Sequence, residues 1–135
     1  MPNNILLIED NPTNLDLMSY LLRSFGYHPV AATDGEAGLA AVRQTSFQLV
    51  ICDIHLPGID GCEVARRIKA DPDICHIPLI AVTALAMVGD RDKVLSAGFD
   101  GYIAKPIEPE TFVAQLKSFM GKATASPLAA QNNGL

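Results

Sequence analysis

The sequence predicts an α/β doubly wound (βα)5 sandwich: a five-stranded parallel sheet with helices on both faces. Short apolar runs recur along the chain with no polar alternation inside them, the mark of strands buried on both faces. The runs lie too far apart for hairpins. The segments between them carry apolar residues at helical spacing, and alternation of strand and helix implies right-handed crossovers. At 135 residues the chain has room for one such domain.

The runs Ile5–Ile8, Val30–Ala32, Leu49–Cys52, Leu79–Val82 and Tyr102–Ala104 read as the strands. After the first, Pro12 suits an opening helical turn, Leu15, Met18, Leu21, Leu22 and Phe25 share a face, and Gly26 stops the helix. Thr33-Asp34-Gly35-Glu36 reads as a capping box for a second helix that carries Leu39 and Val42 inward. A third follows Asp60, places Val64 and Ile68 one turn apart, and ends before Asp71-Pro72-Asp73. The segment Ala84 to Ala97 predicts a weaker, mobile helix, because Gly89 interrupts it and its apolar face is poorly defined. Within it, Met87 and Val88 read as core residues or as surface. The last helix has Pro109 near its start and Phe112, Leu116, Phe119 and Met120 inward. The folded domain is expected over residues 1–120, with 121–135 a flexible tail poor in charge.

An apolar fraction of 49% supports a buried core, and a formal charge of −5 with no basic patch argues against direct DNA binding. The uncharged stretch Ile77 to Gly89 falls short of the roughly 20 residues a membrane span needs. Met1-Pro2-Asn3-Asn4 lacks the basic and apolar regions of a signal peptide, so a cytoplasmic location is expected. Cys52, Cys62 and Cys75 show no paired or zinc-binding spacing and read as reduced thiols. His28, His55 and His76 read as surface or loop residues without metal-ligand spacing.

In an open parallel sheet, ligands bind beyond the carboxyl ends of the strands. Glu9-Asp10 follows the first run, Asp53 the third, Thr83 the fourth and Lys105-Pro106 the fifth. Carboxylates that close repel by about 4 kcal/mol per pair at 4 Å, for an effective dielectric near 20. A divalent cation offsets that, and an all-oxygen site with few protein ligands favours Mg²⁺. Mg²⁺ and Lys105 would neutralise a phosphoryl group while the Thr83 hydroxyl donates to it, and one carboxylate would serve as nucleophile.

The segments Ile8-Glu9-Asp10-Asn11, Cys52 through Gly61, Val82-Thr83-Ala84 and Gly101 through Pro106 together resemble the receiver domain of two-component response regulators, the CheY-like superfamily. Asn11-Pro12-Thr13-Asn14 is similar to receivers of hybrid kinases and to stand-alone regulators of the DivK, or cell-cycle and polarity, type. The resemblance spans roughly Asn4 to Met120 and implies strand order 2-1-3-4-5. It implies Asp53 as phosphoryl acceptor, with Glu9, Asp10, Asp53 and the backbone carbonyl of His55 holding Mg²⁺. Thr83, Ala84 and Lys105 would surround the phosphoryl oxygens. Thr83 and Tyr102 would form a switch pair, and the bond to Pro106 would be cis. His55 stands where the family often has methionine, and Leu85 occupies a position often linked to hydrolysis rate.

Rival readings fit less well. A haloacid dehalogenase-type phosphatase needs a second Asp two residues after the nucleophile, where this chain has His55. Glu9-Asp10 would repel the phosphate of a flavodoxin-like carrier, and no G-x-G-x-x-G is present for a dinucleotide. The expected function is therefore a phosphorelay switch, not a metabolic enzyme. A histidine kinase or histidine phosphotransfer protein would donate the phosphoryl group, and a downstream protein would read the changed surface. The alternative is a phosphate-independent interaction module of the same fold. No effector domain fits in the final 15 residues, so the expected output is a protein contact.

Overall fold

The computed structural model of the chain describes residues 3–84 and 88–124. The elements alternate as β1 (Asn4–Ile8), α1 (Pro12–Ser24), β2 (His28–Ala32), α2 (Gly35–Gln44), β3 (Leu49–Asp53), α3 (Gly61–Ala70), β4 (Leu79–Thr83), α4 (Val88–Ser96), β5 (Gly101–Ala104) and α5 (Pro109–Thr124). All strands pair in parallel in the order β2-β1-β3-β4-β5. Several strands outrun their apolar cores: β1 and β2 begin with Asn4 paired to His28, because ladder hydrogen bonds continue where side chains have turned polar.

Strand alternation divides the core in two. Leu6, Ile8, Val50, Cys52, Leu79 and Ala81 face α2, α3 and α4, packing on Leu39, Val42, Val64, Ile68 and Val94. Ile5, Leu7, Leu49, Ile51, Ile80 and Val82 face α1 and α5, packing on Met18, Leu22, Phe112 and Leu116. Only the inner strands satisfy the expectation of burial on both faces. β3 and β4 are buried throughout, whereas β2 exposes His28 and Ala31 and β5 exposes Ala104, because each ends the sheet.

Asn11 caps α1 by accepting from the Asn14 N–H at 3.0 Å, with Pro12 in the first turn. At the other end Gly26, at φ +86°, lets the Tyr27 N–H reach the Leu22 carbonyl and the Gly26 N–H reach that of Arg23. Phe25 is thereby placed at the C-cap and is 54% exposed, so it is not on the inner face with Leu22 as its spacing suggests. The Lys117 ammonium sits over its ring. The cap of α2 also differs from expectation. Asp34, not Thr33, accepts from the Ala37 N–H at 2.7 Å, which puts Glu36 one position too early to close a capping box.

Asp60 caps α3 through the Glu63 N–H. Ala84, where the sequence predicts the start of this helix, lies in a bend outside α4, and the described helix, Val88–Ser96, buries Val94 while leaving Leu95 exposed. α5 continues through Thr124, past the expected end at Met120; a glycine such as Gly121 costs a helix interior only about 1 kcal/mol. Leu85, Met87, the side chain of Val88 and residues 125–135 of the tail expected over 121–135 lie outside the described residues.

Candidate functional site

The chemistry gathers where β1, β3, β4 and β5 end side by side. Ile8 pairs with Cys52, so the residues that follow them, Glu9 and Asp53, are neighbours. Thr83 pairs with Ala104, and the Lys105 N–H donates to the Thr83 carbonyl at 2.8 Å, which ties the start of the β5–α5 loop to β4. The Lys105–Pro106 bond is cis.

One oxygen from each of Glu9, Asp10 and Asp53 falls within a 4.8 Å cluster. Glu9 and Asp53 are buried, at 1% and 4% exposure, while Asp10 is open to solvent. Both oxygens of Asp53 are held. Oδ2 pairs with the Lys105 ammonium at 2.9 Å, and Oδ1 accepts from the His55 backbone N–H at 3.0 Å. Lys105 also stands 3.5 Å from Glu9 Oε1, and Glu9 Oε2 accepts from the Asn11 N–H. Backbone donors such as those of His55 and Asn11 leave no mark on residue type, so sequence patterns do not reveal them.

Burial pushes the Glu9 carboxyl up to about 7, assisted by the Asp53 side chain and opposed by the Asn11 N–H. Burial alone would lower Lys105, but its hydrogen bond to Asp53 and the fields of both buried carboxylates outweigh that and raise it. One ammonium against three carboxylates leaves the site short of positive charge. Glu9 Oε1 is buried and makes no hydrogen bond. An all-oxygen donor set with a buried oxygen that accepts no hydrogen bond suits a hard divalent cation.

Thr83, buried at 2% exposure, ends β4 beside this cluster, and Ala84 follows it at the surface. The His55 side chain is exposed. Tyr102 stands apart from the carboxylates. It pairs with Ala81, packs on the α2–α4 side of the core, and lies under the Arg91 guanidinium at 5.9 Å. Its ring borders a groove of about 450 Å³ along α5, which Ala114 and Phe119 also line. The cysteines are free, and burial pushes the Cys52 thiol up.

The chain belongs to the response regulator receiver domain family, which it matches over residues 5–117. It is 37% identical over 123 residues to the polar-differentiation response regulator DivK of Brucella anthropi, covering 91% of this chain and 100% of that one. Its fold is that of a response regulator from Chloroflexus aurantiacus, at TM-score 0.85 and 30% identity, covering 90% and 99% of the two chains. A receiver domain of a sensor histidine kinase from Pseudomonas aeruginosa superposes at TM-score 0.82 with 34% identity, covering 90% and 99%; that structure has a magnesium ion in its active-site cleft. The protein is thus a receiver domain of two-component signalling. Among its described residues, no helix is long and apolar enough to cross a membrane.

Proposed function

We propose that this receiver is a phosphorylation-controlled switch whose acceptor is Asp53. The observation that carries the reading is the pairing of buried Asp53 with Lys105 at 2.9 Å inside the Glu9, Asp10 and Asp53 cluster. Glu9, Asp10, Asp53 and the His55 carbonyl would hold Mg²⁺, which when bound supplies positive charge to the acceptor and phosphoryl oxygens.

The donor is a phosphohistidine on a histidine kinase or phosphotransfer protein. A carboxylate oxygen of Asp53 attacks phosphorus, the P–N bond breaks with its electron pair going to the imidazole, and that ring takes up a proton. Lys105 holds one oxygen of the transferred group, the Thr83 hydroxyl donates to another, and the Ala84 side chain is small enough to leave room there. Movement of Thr83 toward the new charge vacates space behind it, and Tyr102 turns inward from beneath Arg91. Phosphorylation thereby shifts a pre-existing equilibrium between two surfaces that a downstream protein distinguishes. Hydrolysis at the same site returns the switch, with no external metabolite turned over. The reading places the protein in the cytoplasm, without direct DNA binding, and takes the receiver as residues 1–120.

Intact mass after incubation with acetyl phosphate tests it. One added phosphoryl group is expected that requires Mg²⁺ and is missing in Asp53→Asn. Folded wild-type protein that takes up none under any condition favours the alternative, a phosphate-independent interaction module.

A further inference from the structure

We propose that Gly61, the first residue of α3, is a positioning residue for Asp53 and for the backbone that follows it. The α3 helix begins directly against the end of β3. The Gly61 N–H donates to the Ile54 carbonyl at 2.8 Å. A Cβ on Gly61 would lie 2.3 Å from the Asp53 carbonyl oxygen and 2.8 Å from the Ile54 Cα. Both neighbours are backbone. They cannot yield by a rotamer change, as the side chains of Ile59 and Ile8 would for a Cβ at Gly35 or Gly38. Gly61 has no left-handed φ, so the requirement is for space and not for an unusual conformation.

The backbone that a side chain would displace is the stretch on which the acceptor depends. Asp53 sits at its start, and two residues later the His55 N–H fixes Asp53 Oδ1 at 3.0 Å. The Asp60 cap, which accepts from the Glu63 N–H at 2.9 Å, anchors the helix from the other side and leaves it little freedom to retreat. A methyl group at position 61 therefore pushes Asp53 and Ile54 away from α3, and His55 moves with them. The inference rests on the acceptor and Mg²⁺ reading above, and it adds a residue that touches neither group.

The test compares Gly61→Ala with Ile68→Ala, which also destabilises α3 but leaves its cavity at the far end of the helix. Three readouts are needed: the His55 amide resonance in ¹⁵N spectra, Mg²⁺ affinity by calorimetry, and phosphoryl uptake from acetyl phosphate by intact mass. Gly61→Ala is expected to shift the His55 amide, to bind Mg²⁺ about 10-fold or more weakly, and to take up phosphoryl more slowly. Ile68→Ala should keep the wild-type resonance and affinity. If Gly61→Ala does not fold, Asp60→Ala replaces it, since loss of the cap releases the same helix start without adding an atom. A wild-type His55 amide and Mg²⁺ affinity in the folded variant, while wild-type protein accepts phosphoryl, overturns the role of Gly61 alone. Wild-type protein that binds no Mg²⁺ and accepts no phosphoryl overturns the acceptor reading and this inference with it.

Discussion

Lys105 Nζ stands 2.9 Å from Asp53 Oδ2 and 3.5 Å from Glu9 Oε1, so one ammonium compensates carboxylates delivered by two strand ends. Because those carboxylates are buried, removing the cation leaves repulsion that water screens poorly.

The variant Lys105→Met keeps the length of the side chain and deletes its charge. Glu9 absorbs part of the loss by holding its proton to higher pH, and Lys105 is itself partly exposed. The expected destabilisation is therefore about 1–3 kcal/mol, below the usual cost of breaking a fully buried pair. Phosphoryl uptake should slow by about 100-fold, as when one oxyanion donor is lost. Urea unfolding and a time course by mass check the two effects separately, and unchanged uptake would mean that the ammonium never meets the phosphoryl group.

Stability without divalent metal should fall between about pH 4.5 and 7 through Glu9, whose carboxyl is raised from 4.5 to about 7. In that window the folded state holds a proton that the unfolded state has released. The associated stability is full below the unfolded value and is lost as pH rises through the folded one. The shift corresponds to a loss of order 3 kcal/mol. Urea midpoints at pH 5, 6, 7 and 8 should show the decline, and Glu9→Gln should flatten it. Mg²⁺ must displace the same proton, so its affinity should weaken below pH 7 in wild-type protein. Parallel midpoint curves for wild type and Glu9→Gln would refute the assignment to Glu9.

Phe25 and Leu22 separate sequence periodicity from actual burial. Both fit one apolar helical face, yet Leu22 is fully buried and Phe25 is 54% exposed at the C-cap. Leu22→Ala should cost about 2–5 kcal/mol, as for other core truncations. Phe25→Ala, which gives up a surface ring and its contact with Lys117, should cost under about 1 kcal/mol. Denaturant unfolding of the two variants side by side decides it; equal losses would place Phe25 in the core.

What was legible in the sequence follows from which forces act locally. Apolar runs report burial, so β1, β3 and β4 emerge from Ile5–Ile8, Leu49–Cys52 and Leu79–Val82, and acids or Lys directly after such runs report the site. Edge position is a tertiary property. In His28-Pro29-Val30-Ala31-Ala32 only Pro29, which cannot donate to a ladder, hints that β2 ends the sheet, and nothing there shows that His28 and Ala31 are exposed. Cap choice turns on a single position, which is why Asp34 displaces Thr33. The backbone donors to Asp53 and Glu9 depend on loop paths that residue type does not encode, and the closeness of Gly61 to the Asp53 carbonyl arises only once α3 docks.

Gly101 offers a way to separate packing from chemistry. It opens β5 at the amino end of the strand, away from Lys105, and a Cβ there would lie 2.2 Å from Phe119 Cε1 and 2.6 Å from Cζ. Those atoms belong to a side chain on α5, so relief requires the ring to move. Gly101→Ala should destabilise by about 1–3 kcal/mol, the usual cost of overpacking. Phe119→Leu shortens the obstructing group, and in the double variant the alanine should cost markedly less than in the wild-type background. The two changes are thus strongly non-additive. Mg²⁺-dependent phosphoryl uptake should remain at the wild-type rate in both folded variants, because the acidic cluster lies at the opposite end of the sheet. A double-mutant cycle by urea unfolding checks the coupling; additive losses would show that the Phe119 ring does not oppose a side chain at Gly101.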